Sequence, residues 1–135
     1  MEYDDNKIST PDEFNEIAKE FKNREFQNFD KIFEKLFLIN TVYSYVAKNI
    51  RSFRLRETFL GLAKQSELDL DELSKIYKVE DKNFHYPKRF KSYYFCLRLL
   101  LKTEAEFLEL SLSNNLPNEI IFEHIENLKT ISSLI

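Results

Sequence analysis

Glycine, cysteine and tryptophan are almost missing from this chain of 135 residues. It has one glycine, Gly61, three prolines and no tryptophan. An all-β protein needs many tight turns, so this shortage of turn-forming residues disfavours one. A single glycine also excludes a glycine-rich phosphate-binding loop. The composition therefore favours a helical protein.

The single cysteine, Cys96, excludes a disulfide within the chain. Such cysteine usage fits a reducing compartment, and the acidic N-terminus MEYDDNK lacks the apolar core of a signal peptide. No apolar run approaches the roughly 18 residues that a membrane-spanning helix needs. We therefore expect a cytoplasmic protein without a membrane anchor. Cys96 falls on an aromatic helical face, so we interpret it as packing and predict no catalytic residue.

The chain also has no strong excess of either charge: it contains 20 Lys and Arg and 23 Asp and Glu, for a net charge of −3. This balance gives no global attraction to nucleic acids or to anionic membranes. Two local basic segments still leave a nucleic-acid-binding module as a third possible function, because cations bind phosphates while aromatic rings stack on bases. A solvated basic end of a helical protein is the simpler interpretation. The residues concerned are Arg51, Arg54 and Arg56 in one segment and Lys88, Arg89 and Lys91 in the other.

Apolar residues recur at spacings of three and four through most of the chain. This pattern predicts a short helix, capped by Thr10 and ending near Asn23, and then four long helices. The long helices are expected at 29–50, 53–77, 87–113 and from Asn118 onward, with a turn over 114–117. We interpret the chain as one domain, an up-down four-helix bundle with a short extra N-terminal helix. Its parts are an N-terminal arm and short helix (1–25), a first helical hairpin (28–77), a linker (78–87) and a second hairpin (88–135).

The segment QSELDLDEL, residues 65–73, contains four carboxylates close together. At about 100° per residue, Glu67, Asp71 and Glu72 face away from the apolar stripe of their helix. Asp69 lies at the edge of that stripe and Ser66 at its centre. The spacing does not fit an EF-hand loop, because the glycine at the sixth position and the glutamate at the twelfth are absent. Only Asp69 is predicted to reach the interior.

Two further polar residues fall inside apolar stripes: Glu104 in the third long helix and His124 in the last. A carboxylate buried alone is costly, so Glu104 needs a partner, a proton or a metal. We expect His124, Ser111 or a tyrosine hydroxyl to pair with it. Such residues can be functional or can be satisfied core groups that fix helix register. The full predicted interior polar set is Asn40, Ser66, Asp69, Glu104, Ser111 and His124.

The run VYSYVAKNIRSFRLRETFLGLAKQSELDLDEL, residues 42–73, resembles the first helical hairpin of ferritin-like proteins, and of rubrerythrins in particular. Those proteins have a Tyr-rich, Ala-containing end of the first helix and a Phe-x-x-x-Ala-x-x-Glu-x-x-His run on the second. Here Tyr43, Tyr45 and Ala47 match the first feature, while Phe59 and Ala63 match the second. The resemblance covers about a quarter of the chain. It implies a ferritin-like bundle in which each half supplies a Glu and a Glu-x-x-His to a pair of metal ions.

The ligand positions implied by this resemblance are largely changed. Leu36, Ser66 and Asp69 stand where the first half of the family has Glu, Glu and His. In the second half Glu104 can stand for the third-helix Glu, but no Glu precedes His124 by three residues. If any metal ligands survive, they are Asp69, Glu104 and His124, which are too few for a typical dinuclear centre. The resemblance thus implies a degenerate metal site.

We therefore predict a non-catalytic, metal-free protein without a cofactor, acting in interaction or assembly as a homo-oligomer or with a protein partner. Large apolar residues off the inward stripes support a second packing face. The alternative is an iron-binding or di-iron redox protein related to rubrerythrins. The outlying apolar residues are Leu60, Leu68, Phe95, Leu99 and Leu110.

Overall fold

The computed structural model describes residues 11–77, 90 and 92–135, with side chains described from residue 29 onward. This part of the chain contains four α-helices and no β-strand. None of these helices is both long enough and apolar enough to cross a membrane. The helices are α1 (Pro11–Asn49), α2 (Phe53–Ile76), α3 (Tyr93–Ser113) and α4 (Asn118–Leu134).

Local capping explains where most of these helices begin and end. Ser52 caps α2, because its hydroxyl oxygen accepts from the Leu55 N–H at 3.3 Å. After α3, Asn115 adopts a positive φ of 53°, a conformation that asparagine tolerates better than most residues. The Leu116 N–H then donates to the Ser111 carbonyl at 3.1 Å, the outer bond of a Schellman motif. The predicted second helix, the turn over 114–117 and the start of α4 are confirmed.

Two predicted boundaries were wrong. The short N-terminal helix and the first long helix are one continuous helix, α1, because residues 24–28 contain neither glycine nor proline to stop it. The third long helix begins at Tyr93, not at Pro87, because the Ser92 hydroxyl caps it by accepting from the Phe95 N–H at 3.1 Å. The predicted cap Thr10 and the linker 78–87 lie outside the described residues.

The helices pack side by side, and α1 is antiparallel to both α2 and α3. Phe29 near one end of the packed part of α1 stacks on Tyr77 after α2, with ring centroids 3.8 Å apart. Near the other end, Tyr45 contacts Phe90, just before α3, edge to face at 5.1 Å. The tight turn after Ser113 makes α4 antiparallel to α3. Helices α2 and α3 consequently run in the same direction. The predicted up-down order, in which all consecutive helices are antiparallel, was therefore wrong between α2 and α3, because Tyr77 lies beside Phe29 at one end of α1 while Phe90 lies beside Tyr45 at the other.

The core between the helices is rich in aromatic side chains. Tyr43, Phe59 and Tyr93 form a chain of ring contacts at 6.1 and 6.3 Å that links α1, α2 and α3. The predicted apolar stripe of α1 is confirmed, since its central residues are buried and its ends pack against the core. Those central residues are Ile32, Phe33, Leu36, Ile39, Tyr43, Val46 and Ala47.

Two phenylalanines on adjacent helices test this assignment of the core. Phe107 on α3 is 0% exposed and Phe122 on α4 is 67% exposed. We expect Phe107→Ala to lower the free energy of unfolding by about 3–5 kcal/mol, because it removes a buried ring and leaves a cavity. The same change at Phe122 should stay within about 0.5 kcal/mol. Denaturant unfolding measures both, and comparable losses at the two positions would contradict the packing described.

Candidate functional site

Every helix contributes at least one side chain to a cluster of buried polar groups inside the bundle. Tyr43 comes from α1, Asp69 from α2, Glu104 from α3, and both His124 and Asn127 from α4. All five are buried or nearly so. We call these five residues the polar layer. Because buried polar groups cost free energy unless they are bonded, their contacts with one another decide what the layer can do.

The imidazole of His124 lies between two carboxylates from different helices. Its Nδ1 is 2.5 Å from Oε2 of Glu104, and its Nε2 is 2.9 Å from Oδ2 of Asp69. A neutral imidazole has only one N–H, whereas the imidazolium can donate to both carboxylates at once. Burial lowers the pKa of His124, but hydrogen bonds to Asp69 and Glu104 and their charges outweigh it and raise the pKa to about 9. His124 is therefore positively charged at neutral pH.

The remaining oxygen of Glu104 is bonded as well. Its Oε1 accepts from the Tyr43 hydroxyl at 2.7 Å and from the Asn127 amide nitrogen at 3.3 Å. Desolvation by burial, together with the neighbouring charge of Glu104, raises the pKa of Tyr43 far above its ordinary value. Tyr43 thus remains a neutral phenol and a hydrogen-bond donor. Both oxygens of Glu104 are held by donors from α1 and α4.

The polar layer approaches the surface at Glu123, a half-buried residue of α4 next to Asp69. Desolvation by burial raises the pKa of Glu123, and so do the charge of Asp69 and a hydrogen bond to it. Gln65 and His124 act in the opposite direction. The Oε2 of Glu123 is buried and has no hydrogen-bond partner. Two facing carboxyl groups repel each other when both are charged, so the pair favours a proton on Glu123.

Other predicted interior residues form separate, smaller contacts. Asn40 donates from Nδ2 to the Ala63 carbonyl and to Oγ of Ser66, both at 2.9 Å, which ties α1 to α2. Ser66 in turn donates to the Ala63 carbonyl at 2.8 Å. Ser111 donates to the Phe107 carbonyl of its own helix at 2.7 Å. None of these serine and asparagine groups bonds to the polar layer.

The structure brings together the three candidate ligands Asp69, Glu104 and His124. Of the partners predicted for Glu104, His124 and a tyrosine hydroxyl are confirmed. The predicted pairing of Ser111 with Glu104 was wrong, because the Ser111 hydroxyl donates to the Phe107 carbonyl one turn earlier in the same helix. The predicted outward direction of the other three carboxylates in 65–73 is also confirmed, since all three are exposed. They are Glu67, Asp71 and Glu72.

Sequence reasoning missed Asn127 and Glu123. A signal for Asn127 was present, because it follows His124 by three residues and so shares its helix face. Glu123 precedes His124 and points about 100° away from it, and only the position of α2 brings it to Asp69. No sequence pattern predicts that approach.

The geometry of the polar layer does not suit a metal ion. The two ring nitrogens of His124 point in diverging directions, and each faces a different carboxylate, so Asp69, Glu104 and His124 do not converge on one point. Across the described residues, no group of three or more His, Cys, Asp or Glu side chains is arranged to hold a metal ion. The arrangement instead suits holding protons and fixing four helices against one another.

The basic residues singled out as a possible nucleic-acid contact are placed only in part. Arg51, Arg54 and Arg56 are exposed around the junction of α1 and α2. The guanidinium of Arg56 donates to the Ile50 carbonyl at 3.0 Å, which leaves it tied to the junction. The second basic segment, with Lys88, Arg89 and Lys91, lies outside the described residues.

The raised pKa of His124 predicts a pH-dependent stability. Because the folded state favours the imidazolium, His124 stabilises the folded protein. This stabilisation is fully present below the unfolded pKa of about 6.5. It is lost as the pH rises through the folded pKa of about 9. The shift corresponds to roughly 3 kcal/mol. We therefore expect the unfolding free energy to fall between pH 7 and 10, and His124→Gln to remove that part of the slope.

An NMR titration provides the direct measurement. With His85→Asn, the imidazole of His124 is the only one in the chain. Its ring protons should titrate well above pH 7, and Asp69→Asn should lower the midpoint by removing one of the two facing charges. A His124 that titrates near 6.5 in the folded protein would contradict the ion-paired arrangement.

Comparison with known proteins adds no relative from which a function could be taken. No known protein family, no curated protein and no solved structure matches this chain.

Proposed function

We propose that this protein is a ferritin-like helical bundle that functions without a bound metal, as an interaction or assembly protein. The observation that carries the proposal is the imidazolium of His124 between Asp69 and Glu104. Buried carboxylates need a partner, a proton or a metal. In this chain an amino-acid side chain supplies the positive charge that a metal ion supplies elsewhere.

The pattern of inward residues supports the ferritin-like part of the proposal. In metal-binding bundles of this type, two helices give one Glu each and the other two give a Glu-x-x-His pair. Here Glu104 of α3 takes one of the single positions, and α4 gives the pair His124-x-x-Asn127. In α1 the position implied for Glu is the buried Leu36, and Tyr43, seven residues later, supplies the polar group instead. Helix α2 carries an equally spaced pair, Ser66-x-x-Asp69. The i, i+3 spacing of polar residues in α2 and α4 supports the proposal, although Ser66 bonds to Asn40 and not to the polar layer.

An iron-binding or di-iron redox function is the alternative, and the residues fit it poorly. Hydrogen bonds from Tyr43, Asn127 and His124 already occupy three of the roughly four acceptor positions of the Glu104 carboxylate. Only Asp69, Glu104 and His124 are available as strong ligands in the layer, and a dinuclear centre of this type uses six. A nucleic-acid function is third, since only Arg51, Arg54 and Arg56 are placed, at one end of the bundle.

The interaction part of the proposal is supported by the outer face of α2. Phe53, Leu60 and Leu68 are 74%, 46% and 57% exposed, and at about 100° per residue they fall within an arc of about 80°. We call these three residues the outer α2 stripe. The exposed charged residues Glu57 and Lys64 fall within the same arc, so this face combines apolar side chains with charges. A partner with matching apolar and charged groups would cover it. A second copy of the chain, packed through the same stripe around a two-fold axis, is the simplest such partner.

Metal content tests the metal-free part. We expect the protein, produced with iron or manganese supplied, to retain well below one equivalent of metal per chain. Added iron, manganese or zinc should leave the melting temperature unchanged, because a ligand stabilises only a state that binds it. Two tightly held metal ions per chain, lost in Glu104→Ala but kept in the exposed control Glu109→Ala, would establish the iron-binding alternative instead.

Sedimentation tests the interaction part with a matched pair of variants. Leu68 and Leu112 are similarly exposed, at 57% and 62%, but only Leu68 belongs to the outer α2 stripe. We expect the wild type to self-associate, Leu68→Lys to weaken association by about tenfold or more because it buries a charge, and Leu112→Lys to have no effect. A wild type that remains monomeric at high micromolar concentration would contradict self-association.

A further inference from the structure

A cavity of about 380 Å³ lies at the end of the bundle where α1 ends and α2 and α3 begin. This volume is within the range of sites that bind small molecules. Its nine described lining residues include three aromatic rings, one cation, one amide and one thiol. They belong to Tyr45, Phe90, Tyr93, Arg51, Asn49 and Cys96.

The aromatic wall of the cavity is already fixed in place. Tyr45 contacts Phe90 edge to face at 5.1 Å, and its hydroxyl donates to the Phe90 carbonyl at 3.2 Å. Tyr93 is held edge to face against Phe59 of the core at 6.3 Å. Rings that keep their positions lose little conformational entropy when a ligand packs on them. The wall therefore suits a flat apolar group, such as a single aromatic ring.

Among the described residues that line the cavity, Arg51 carries the only charged side chain. Its exposed guanidinium forms no ion pair within the described part of the chain. Helices α2 and α3 both begin here, and neither carries an acidic residue in its first turn. Their N-terminal ends add partial positive charge. An anionic group would thus be favoured at Arg51, and a cationic one disfavoured.

We propose that this cavity binds a small aromatic anion, in which one ring packs on Tyr45, Phe90 and Tyr93 while a carboxylate or phosphate pairs with Arg51. An arginine binds either group through two parallel N–H donors. The ring and the charge are both needed, because the wall supplies apolar contact and the guanidinium supplies orientation. This binding site is independent of the polar layer and of the outer α2 stripe.

A ligand titration followed by amide NMR tests the proposal with four probes. Phenylacetate and phenyl phosphate combine a ring with an anion, benzylamine combines the ring with a cation, and acetate is an anion without a ring. We expect saturable shifts of the amides around Arg51, Tyr93 and Cys96 with the first two probes only. Equal binding of benzylamine, or shifts that map elsewhere, would overturn the proposal.

Variants separate the cavity from the surrounding basic surface. Arg51→Ala should weaken phenylacetate binding by about tenfold or more, since a charge-assisted hydrogen bond is lost. Arg54→Ala removes the same charge from an exposed residue that does not line the cavity, and should leave binding unchanged. Asn49→Phe keeps Arg51 but fills the cavity from its rim, and should abolish binding. If Arg51→Ala and Arg54→Ala weaken binding equally, the probes bind to the basic surface and the proposal is wrong.

Discussion

The ion-paired imidazole of His124 is the interaction on which the rest of the structure depends. It joins α4 to α2 through Asp69 and to α3 through Glu104. Glu104 also accepts a hydrogen bond from the Tyr43 hydroxyl of α1. One hydrogen-bonded chain therefore contacts all four helices. Removing the imidazole would leave two carboxylates buried near each other without a counter-charge, which is far more costly than the loss of an apolar contact.

This dependence constrains how the two helical hairpins meet. Apolar stripes alone permit neighbouring registers, since leucine and isoleucine pack acceptably one turn higher or lower. A shift of α4 by one turn, about 5.4 Å, would separate His124 from both carboxylates and leave three charged groups unpaired. We infer that the polar layer selects one register, and that Asn40 and Ser66 do the same between α1 and α2 on a smaller scale. The interior polar groups thus act on specificity more than on total stability.

Helix positions and the inward direction of single residues could be predicted because they follow from local periodicity. Glu104 and His124 were placed inside from their stripes, and the direction of every carboxylate in 65–73 followed from the same rotation. The start of α3 was missed because Pro87 fits a first helical position and Ser92 fits an N-cap, and sequence rules do not decide between two such signals. The approach of Glu123 to Asp69 depended on the packing of α4 beside α2, and no local pattern contains that distance. Among the contacts between helices, the pairing of Glu104 with His124 and with a tyrosine hydroxyl could be predicted, whereas the bond from His124 to Asp69 and the approach of Glu123 could not.

The pairing of His124 with Asp69 and Glu104 has a consequence for how the chain folds. In the unfolded chain a histidine with an ordinary pKa near 6.5 is mostly neutral at pH 7.5, while in the folded protein His124 carries two N–H donors. Folding at that pH therefore takes up close to one proton from the solvent for this residue alone. The docking of α4 onto α2 and α3 is in this sense coupled to a protonation. Its equilibrium is coupled to the acidity of the surroundings through a single buried ring.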